Sequence, residues 1–268
     1  MQHDLKSKPL TGLVVASVIV VLWIASLKFF LLIDITQLTF LWVLLAILGR
    51  TSIQTGLFIV AHDAIHGAVL PRHRRWNNAI GRLAVTLYAL LSYQKLSLNH
   101  WQHHKYPGQP SDPDFHDGIH DNILVWYLKF MKGYLDVRQT VIQFLGIGMM
   151  FLTLHFGCHI PISNLFLFWV LPIFLSSMQL FLFGTYLPHR SSSPRNSHHA
   201  TSSNYPLFWS FLTCYHFGYH WEHHEYPFLP WYSLPSVRPN KRQRQPLENS
   251  SWKVTTRSIE GFSEVKVL

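Results

Sequence analysis

The chain has 268 residues, 49% of them hydrophobic and 15% aromatic, with a net charge of +9. Only 13% are charged, against roughly 25% in a soluble domain, which excludes an ordinary water-soluble fold. The basic balance needs no nucleic-acid partner, because its distribution along the chain is that of a protein embedded in a bilayer.

Four apolar segments dominate. Leu10 to Ile33 carries one charge, Lys28, and Leu38 to Ala61 carries one, Arg50; Thr140 to Cys158 and Phe166 to Leu187 carry none. Each can meet the roughly 20 residues that cross a bilayer core, which predicts an all-α integral membrane protein with four transmembrane helices. The first segment is longer than the ~7–15-residue core of a signal peptide and lacks a small-residue cleavage pattern, so it is read as a span. Of the 22 Lys and Arg, two fall in residues 1–9, nine in 67–138 and nine in 188–268. The short connections Asp34 to Gln37 and His159 to Leu165 hold none. The positive-inside rule therefore places the termini and the long central loop in the cytoplasm. Cys158 and Cys214 then lie on opposite sides and are expected as unpaired thiols.

Between the spans, Ala79 to Leu98 is apolar but punctuated by Gly81, Arg82, Gln94 and Lys95. A fifth span there would separate the histidine-rich segments across the membrane, so a re-entrant or interfacial helix is expected. Ile123 to Leu135 mixes aromatic residues with Lys129 and Lys132, as an interfacial helix does. Residues 1–240 form a single membrane catalytic domain in this reading. The basic and polar tail, 241–268, is expected to be poorly ordered.

Three segments concentrate imidazole: "AHDAIHG" (61–67), "NHWQHHKYP" (99–107) and "CYHFGYHWEHHEYP" (214–227). In a helix, residues i and i+4 lie about 40° apart and i+3 falls on the same side. His62 and His66 thus share a face, as do His100, His103 and His104, and His220, His223 and His224. The predicted topology gathers all three segments at one surface. A lone histidine is usually an ordinary core or surface residue, but two H-x-x-H-H copies beside an H-x-x-x-H copy point to metal. Structural zinc needs four ligands, commonly including thiolates, whereas eight imidazoles suit two ions. Ligand type alone leaves iron, copper, nickel and zinc open. Asp63, Asp112, Asp114 and Glu222 can accept N–H bonds from ligating histidines and fix their tautomers. Asp114 is the preferred functional carboxylate, although its Asp-Pro setting also suits a turn or helix cap. A non-enzymatic metal carrier or sensor would favour polar residues through the spans, whereas these clusters stop at one surface.

These segments resemble those of the integral-membrane fatty-acid desaturase and hydroxylase superfamily. With "SDPDFH" (111–116) and "FGTYLPHR" (183–190), the chain more narrowly resembles the bacterial and cyanobacterial β-carotene ketolases. The resemblance implies a desaturase-like fold with a cytoplasmic, histidine-rich di-metal cap. It implies two iron ions, O2 as co-substrate and an external electron-transfer protein of ferredoxin type. The implied reaction converts β-carotene, or a related carotenoid, to its C4 ketone by two hydroxylations and a dehydration. Hydroxylation at carbon 3, or desaturation or hydroxylation of an acyl chain, is the neighbouring alternative within the superfamily. The superfamily supplies a further ligand from the end of the fourth span; His189 is the candidate, with His216 as rival or outer ligand. His198 and His199 sit among serines and are expected in a solvated loop. Trp169, Phe174, Phe181, Phe183 and Tyr186 are candidates to line a polyene tunnel.

Overall fold

The computed structural model describes residues 10–116, 119, 121–190 and 198–238, all helix, turn or loop with no strand among them. The expectation for the tail, 241–268, lies outside the described residues. Among the described residues, four helices are long and apolar enough to cross a membrane: α1 (Thr11–Leu32), α2 (Phe40–Ile65), α6 (Val137–Gly157) and α7 (Ile162–His189). Between and after them lie α3 (Arg74–Ala89), α4 (Tyr93–Lys105), α5 (Ile123–Tyr134), α8 (Leu207–Cys214) and α9 (His220–Glu225).

Helix α2 is the centre of the fold. Its first half exposes Phe40, Leu41, Trp42, Leu44, Leu45 and Leu48, a surface suited to lipid rather than water. Its second half is buried almost throughout, from Arg50 to Ile65, against α1, α3 and α7. The apolar part of this core joins Leu57, Val60, Ala61 and Ala64 of α2 to Ala84 and Val85 of α3 and Leu180 of α7.

Polar ties fix the helices against one another. Arg50 is fully buried; it donates from Nε to the Phe168 carbonyl (3.0 Å) and from Nη1 to Ser26 Oγ (2.8 Å) and the Trp23 carbonyl (3.3 Å). Pro172 has no N–H for the Phe168 carbonyl four residues back, and the Arg50 guanidinium takes its place. At the end of the spans away from His62, Asn164 donates to the carbonyls of Phe30, Leu31 and Ile33. Carbonyls buried in an apolar environment without such donors would be costly.

The apolar stretch from Ala79 to Leu98 is two helices rather than one. Leu90 adopts the left-handed conformation (φ 55°) and its N–H reaches the Thr86 carbonyl, which closes α3. Ser92 then caps α4 by accepting from the Lys95 N–H. Helix α3 runs antiparallel to α2: Asn77 Nδ2 donates to the Ala64 carbonyl and Gln54 Nε2 to the Tyr88 carbonyl. It therefore reaches back along ten residues of α2, about 15 Å at helical rise, and α4 returns the chain to the histidine end. The hairpin folds back alongside the second half of α2. Gly81 permits its close seat, since a Cβ there would lie 2.8 Å from that of Ala64 and 2.3 Å from Tyr93 Cε2.

Replacing Arg50 with Ala should strand the buried Phe168 carbonyl at about 1–3 kcal/mol, whereas the Trp23 carbonyl keeps the Ser26 hydroxyl. Thermal unfolding in detergent should show a clearly lowered midpoint, with Lys at the same position recovering only part of it because it cannot bridge in the same planar geometry. An unchanged midpoint would show that this guanidinium does not hold α1, α2 and α7 together.

Candidate metal centre

Nine histidines converge from four helices. His62 lies in the last turn of α2 and His66 caps it; His100, His103 and His104 lie on α4; His189 ends α7; His220, His223 and His224 lie on α9. His62, His66, His100 and His223 form one group and His103, His189, His220 and His224 another, each with its ligand nitrogens within 4.8 Å of one another. His104 completes the first group, its Nε2 lying 3.1 Å from His100 Nε2 and 2.9 Å from His223 Nε2. Its ring also stacks on His224 at 4.3 Å, joining the two groups.

The H-x-x-H-H spacing permits the division once α4 and α9 face each other. Residues i and i+4 keep one heading, while i+3 points about 100° away from i+4. His100 and His104 accordingly serve the first group, and His103 the second. In α9, His220 and His224 serve the second group, and His223 crosses to the first.

Proton counting shows what the second group needs. His103 Nδ1 lies 3.0 Å from both Asp112 oxygens, and His189 Nδ1 lies 2.8 Å from the His199 carbonyl. Both acceptors demand the proton on Nδ1, so each Nε2 presents a lone pair. Those lone pairs face His224 Nε2 at 3.0 Å and His220 Nε2 at 2.9 Å, which are 3.0 Å from each other. Two remaining N–H groups cannot serve three contacts. Burial holds the His220 and His224 imidazoles well below their ordinary pKa, with neighbouring histidines adding to it, so neither of these two readily takes a second proton. A cation among the four nitrogens satisfies every lone pair, and metal–nitrogen bonds of about 2.0–2.1 Å give ligand spacings of roughly 3 Å.

The carboxylates divide in function. Asp112 is the direct partner of His103 and is itself held by the N–H groups of Gly108 and Asp114 (2.9 Å each). Burial pulls the His103 imidazole down, but Asp112 more than offsets it and the pKa stands above the ordinary value. Asp63 lies 3.4 Å from His62 Nδ1 and accepts from the Trp231 N–H. Asp114 stands 4.0 Å from His103 Nδ1 and accepts from the Tyr134 hydroxyl at 2.6 Å. Burial lifts its carboxyl to about 6. Glu222 departs from expectation: buried beside the box, it engages Ser202 and Arg238 rather than a histidine of the centre.

His216 lies outside both groups. The chain turns through two left-handed residues, Tyr215 (φ 47°) and His216 (φ 61°), and the His216 ring stacks on Tyr219 and faces Trp231. His198 pairs with Glu225 at 2.8 Å, and His199 offers His189 its carbonyl.

Two neighbouring cavities lie at this end of the bundle. An apolar cavity of about 400 Å³ is lined by residues including Tyr88, Leu91, Phe130, Ile173 and Phe174. A pocket of about 40 Å³ touches His62, His100, His103, His220 and Asp114. Phe58, Phe130, Tyr134 and Leu180 line both. Of the aromatic residues expected along a tunnel, Phe174 lines this cavity. Trp169 packs with Leu31 and Leu165, Phe181 packs on Trp126 and Tyr127, and Phe183 lines a different, polar pocket.

The fatty acid desaturase profile matches residues 36–256. The chain belongs to the fatty acid desaturase family. Among curated members, a "Beta-carotene ketolase" of Paracoccus sp. is 41% identical over 194 residues, covering 71% of this chain and 77% of the relative. A "Zeaxanthin 4-ketolase" of Chlamydomonas reinhardtii is 38% identical, covering 81% of this chain and 49% of the relative. A "Beta-carotene 4-ketolase" of Protosiphon botryoides is also 38% identical, covering 78% and 54%. The chain thus spans about half the length of the algal relatives. No solved structure matches it. For this desaturase-family chain the donor set fits a pair of transition-metal ions held by neutral nitrogen ligands.

Metal per chain, measured by mass spectrometry on purified protein, separates the histidines. His103→Ala and His189→Ala should lose metal, and His216→Ala should keep it. Asp112→Asn should weaken metal affinity about 10–100-fold, since it loosens the orientation of His103. Retention by His189→Ala together with loss by His216→Ala would reassign the ligand.

Proposed function

We propose that this chain is a di-iron carotenoid oxygenase that introduces a keto group at C4 of β-ionone rings. The observation that carries the reading is an apolar cavity that shares wall residues Phe58, Phe130, Tyr134 and Leu180 with a pocket touching histidines of both groups. The names of the similar proteins supply the substrate class. The residues proposed to hold the metals are His62, His66, His100, His104 and His223 for one ion, and His103, His189, His220 and His224 for the other. Bound there, iron would supply O2 activation, with electrons from an external ferredoxin-type protein.

The chain's own residues set substrate position and dryness. Phe58, Phe130 and Leu180 line the passage from the apolar cavity to the histidines, and offer an alkyl-substituted ring no hydrogen-bond partner. A carotenoid reaches such a site from the bilayer, with its polyene in the larger cavity and one ring at the metal face. Asp112 holds the His103 tautomer, and the His199 carbonyl holds that of His189. Two oxidations of one ring methylene give an alcohol and then a geminal diol, which loses water to form the ketone. The nine Lys and Arg in residues 67–138 and the nine in 188–268, against none in the short connections, support a cytoplasmic position for the centre.

Expression in a β-carotene-producing bacterium should yield echinenone and canthaxanthin. Rings hydroxylated only at carbon 3, or unaltered β-carotene alongside modified acyl chains, would overturn the assignment. Topology is tested separately by single cysteines in a background lacking Cys158 and Cys214. Positions Thr36 and Ser163 should label from outside and Arg74 only from the cytoplasm; outside labelling at Arg74 would contradict the cytoplasmic placement.

A further inference from the structure

Ketone formation sets a problem that one hydroxylation does not. The first product must stay in register, or be recaptured, for a second oxidation of the same carbon. The unoxidised ring is hydrocarbon, whereas the once-oxidised ring carries a hydroxyl. A passage lined only by apolar side chains would not favour the alcohol over the hydrocarbon.

The passage here is not uniformly apolar. Beyond the histidines, three polar side chains line the inner pocket: Asp114, Tyr134 and Thr185. Tyr134 also lines the apolar cavity, so its ring stands where the two spaces meet. Its hydroxyl donates to Asp114 Oδ1 at 2.6 Å, which leaves the phenolic oxygen free to accept. The pair is held on both sides. Asn99 Nδ2, one residue before His100 on α4, donates to the Gly133 carbonyl at 2.9 Å, tying the end of α5 to the histidine helix. Trp126 Nε1 donates to the Asp114 carbonyl at 2.7 Å. Helix α5 and the loop bearing Asp112 and Asp114 thus place one phenol and one carboxyl beside His103.

We propose that Tyr134, backed by Asp114, binds the hydroxyl of the once-oxidised ring and retains it for the second oxidation. The proposal rests on the carotenoid C4 oxygenase reading above. The alcohol O–H donates to the Tyr134 oxygen, whose own proton is committed to Asp114. In the first oxidation, ring CH2 with O2, two electrons and two protons gives CHOH and one water. The second converts CHOH with the same co-reactants to C(OH)2 and one water, and the diol then loses water to give C=O. The electrons come from the external one-electron carrier in both rounds. Tyr134 changes neither balance; it determines whether the alcohol leaves between them. A pocket built to hydrogen-bond a hydroxyl discriminates against the analogue that lacks it.

The test uses the full-length protein in β-carotene-producing cells and in detergent. Tyr134→Phe preserves the ring and removes the hydroxyl. Its ratio of 4-hydroxy to 4-keto rings should rise about ten-fold, the scale of one lost hydrogen bond, with metal per chain unchanged. On purified protein, KM for a 4-hydroxylated carotenoid should rise by a similar factor while KM for β-carotene stays within about two-fold. A merely structural tyrosine would move both together. Binding to the unaltered protein gives a measure that needs no variant: the 4-hydroxylated carotenoid should compete about ten-fold better than β-carotene. Ketone formation with an unchanged alcohol ratio in Tyr134→Phe, or equal competition by the two carotenoids, would overturn the retention proposal while leaving the ketolase reading intact. Absence of any C4 oxidation by the unaltered chain would remove both.

Discussion

The convergence of imidazole lone pairs at the His62 end of the bundle is the constraint to which the remaining structure answers. In the second group, His103 and His189 have committed their protons to Asp112 and to the His199 carbonyl. Their ring nitrogens then meet His224 and His220 at about hydrogen-bond distance with too few protons to share. Such an arrangement is costly without a cation, because buried polar atoms without partners are penalised. A metal bound there would couple to the folding of this end, since ligands that repel or desolvate one another uselessly in the empty site would be satisfied in the filled one. The backbone geometry serves that end. The α3–α4 hairpin dips beside α2 and returns, which delivers three histidines of α4 to the level of His62 and His66.

The polar side chains inside the spans have a related logic. Arg50, Gln54 and Asn164 are fully buried among apolar helices. Each hydrogen-bonds carbonyls or side chains of neighbouring helices: Gln54 accepts from Trp23 Nε1, and Asn164 donates to the end of α1. Thr55 extends the pattern to α7 through Ser176 and Gln179. Within a bilayer, helices gain little from hydrophobic association, and packing with interhelical hydrogen bonds sets their arrangement. A rigid frame of this kind is what a site assembled from the ends of four helices requires.

Much of this was legible in the sequence. Hydropathy located the four long helices to within a few residues, because only continuous apolar runs can satisfy a bilayer. Box spacing marked the histidines, because i, i+3 and i+4 periodicity is local. What spacing did not show was the partition, in which His103 and His223 each cross to the group opposite their own box; that depends on how α4 and α9 face each other. The break at Leu90 was hidden because a leucine in left-handed conformation has no sequence signature comparable to glycine. Glu222 misled for the opposite reason: proximity in sequence to three histidines says nothing about Ser202 and Arg238, which claim it. Tyr134 lay outside every motif, twenty residues after Asp114, and only tertiary packing brings the two together.

X-ray absorption at the iron edge of the purified, iron-loaded protein tests the centre most directly. The proposed di-iron centre, with five imidazoles at one ion and four at the other, predicts a first shell of nitrogen and oxygen only, with strong outer-shell scattering from several imidazole rings per iron. A sulfur shell, or scattering that accounts for no more than one or two imidazoles per iron, would contradict the nine-histidine assignment.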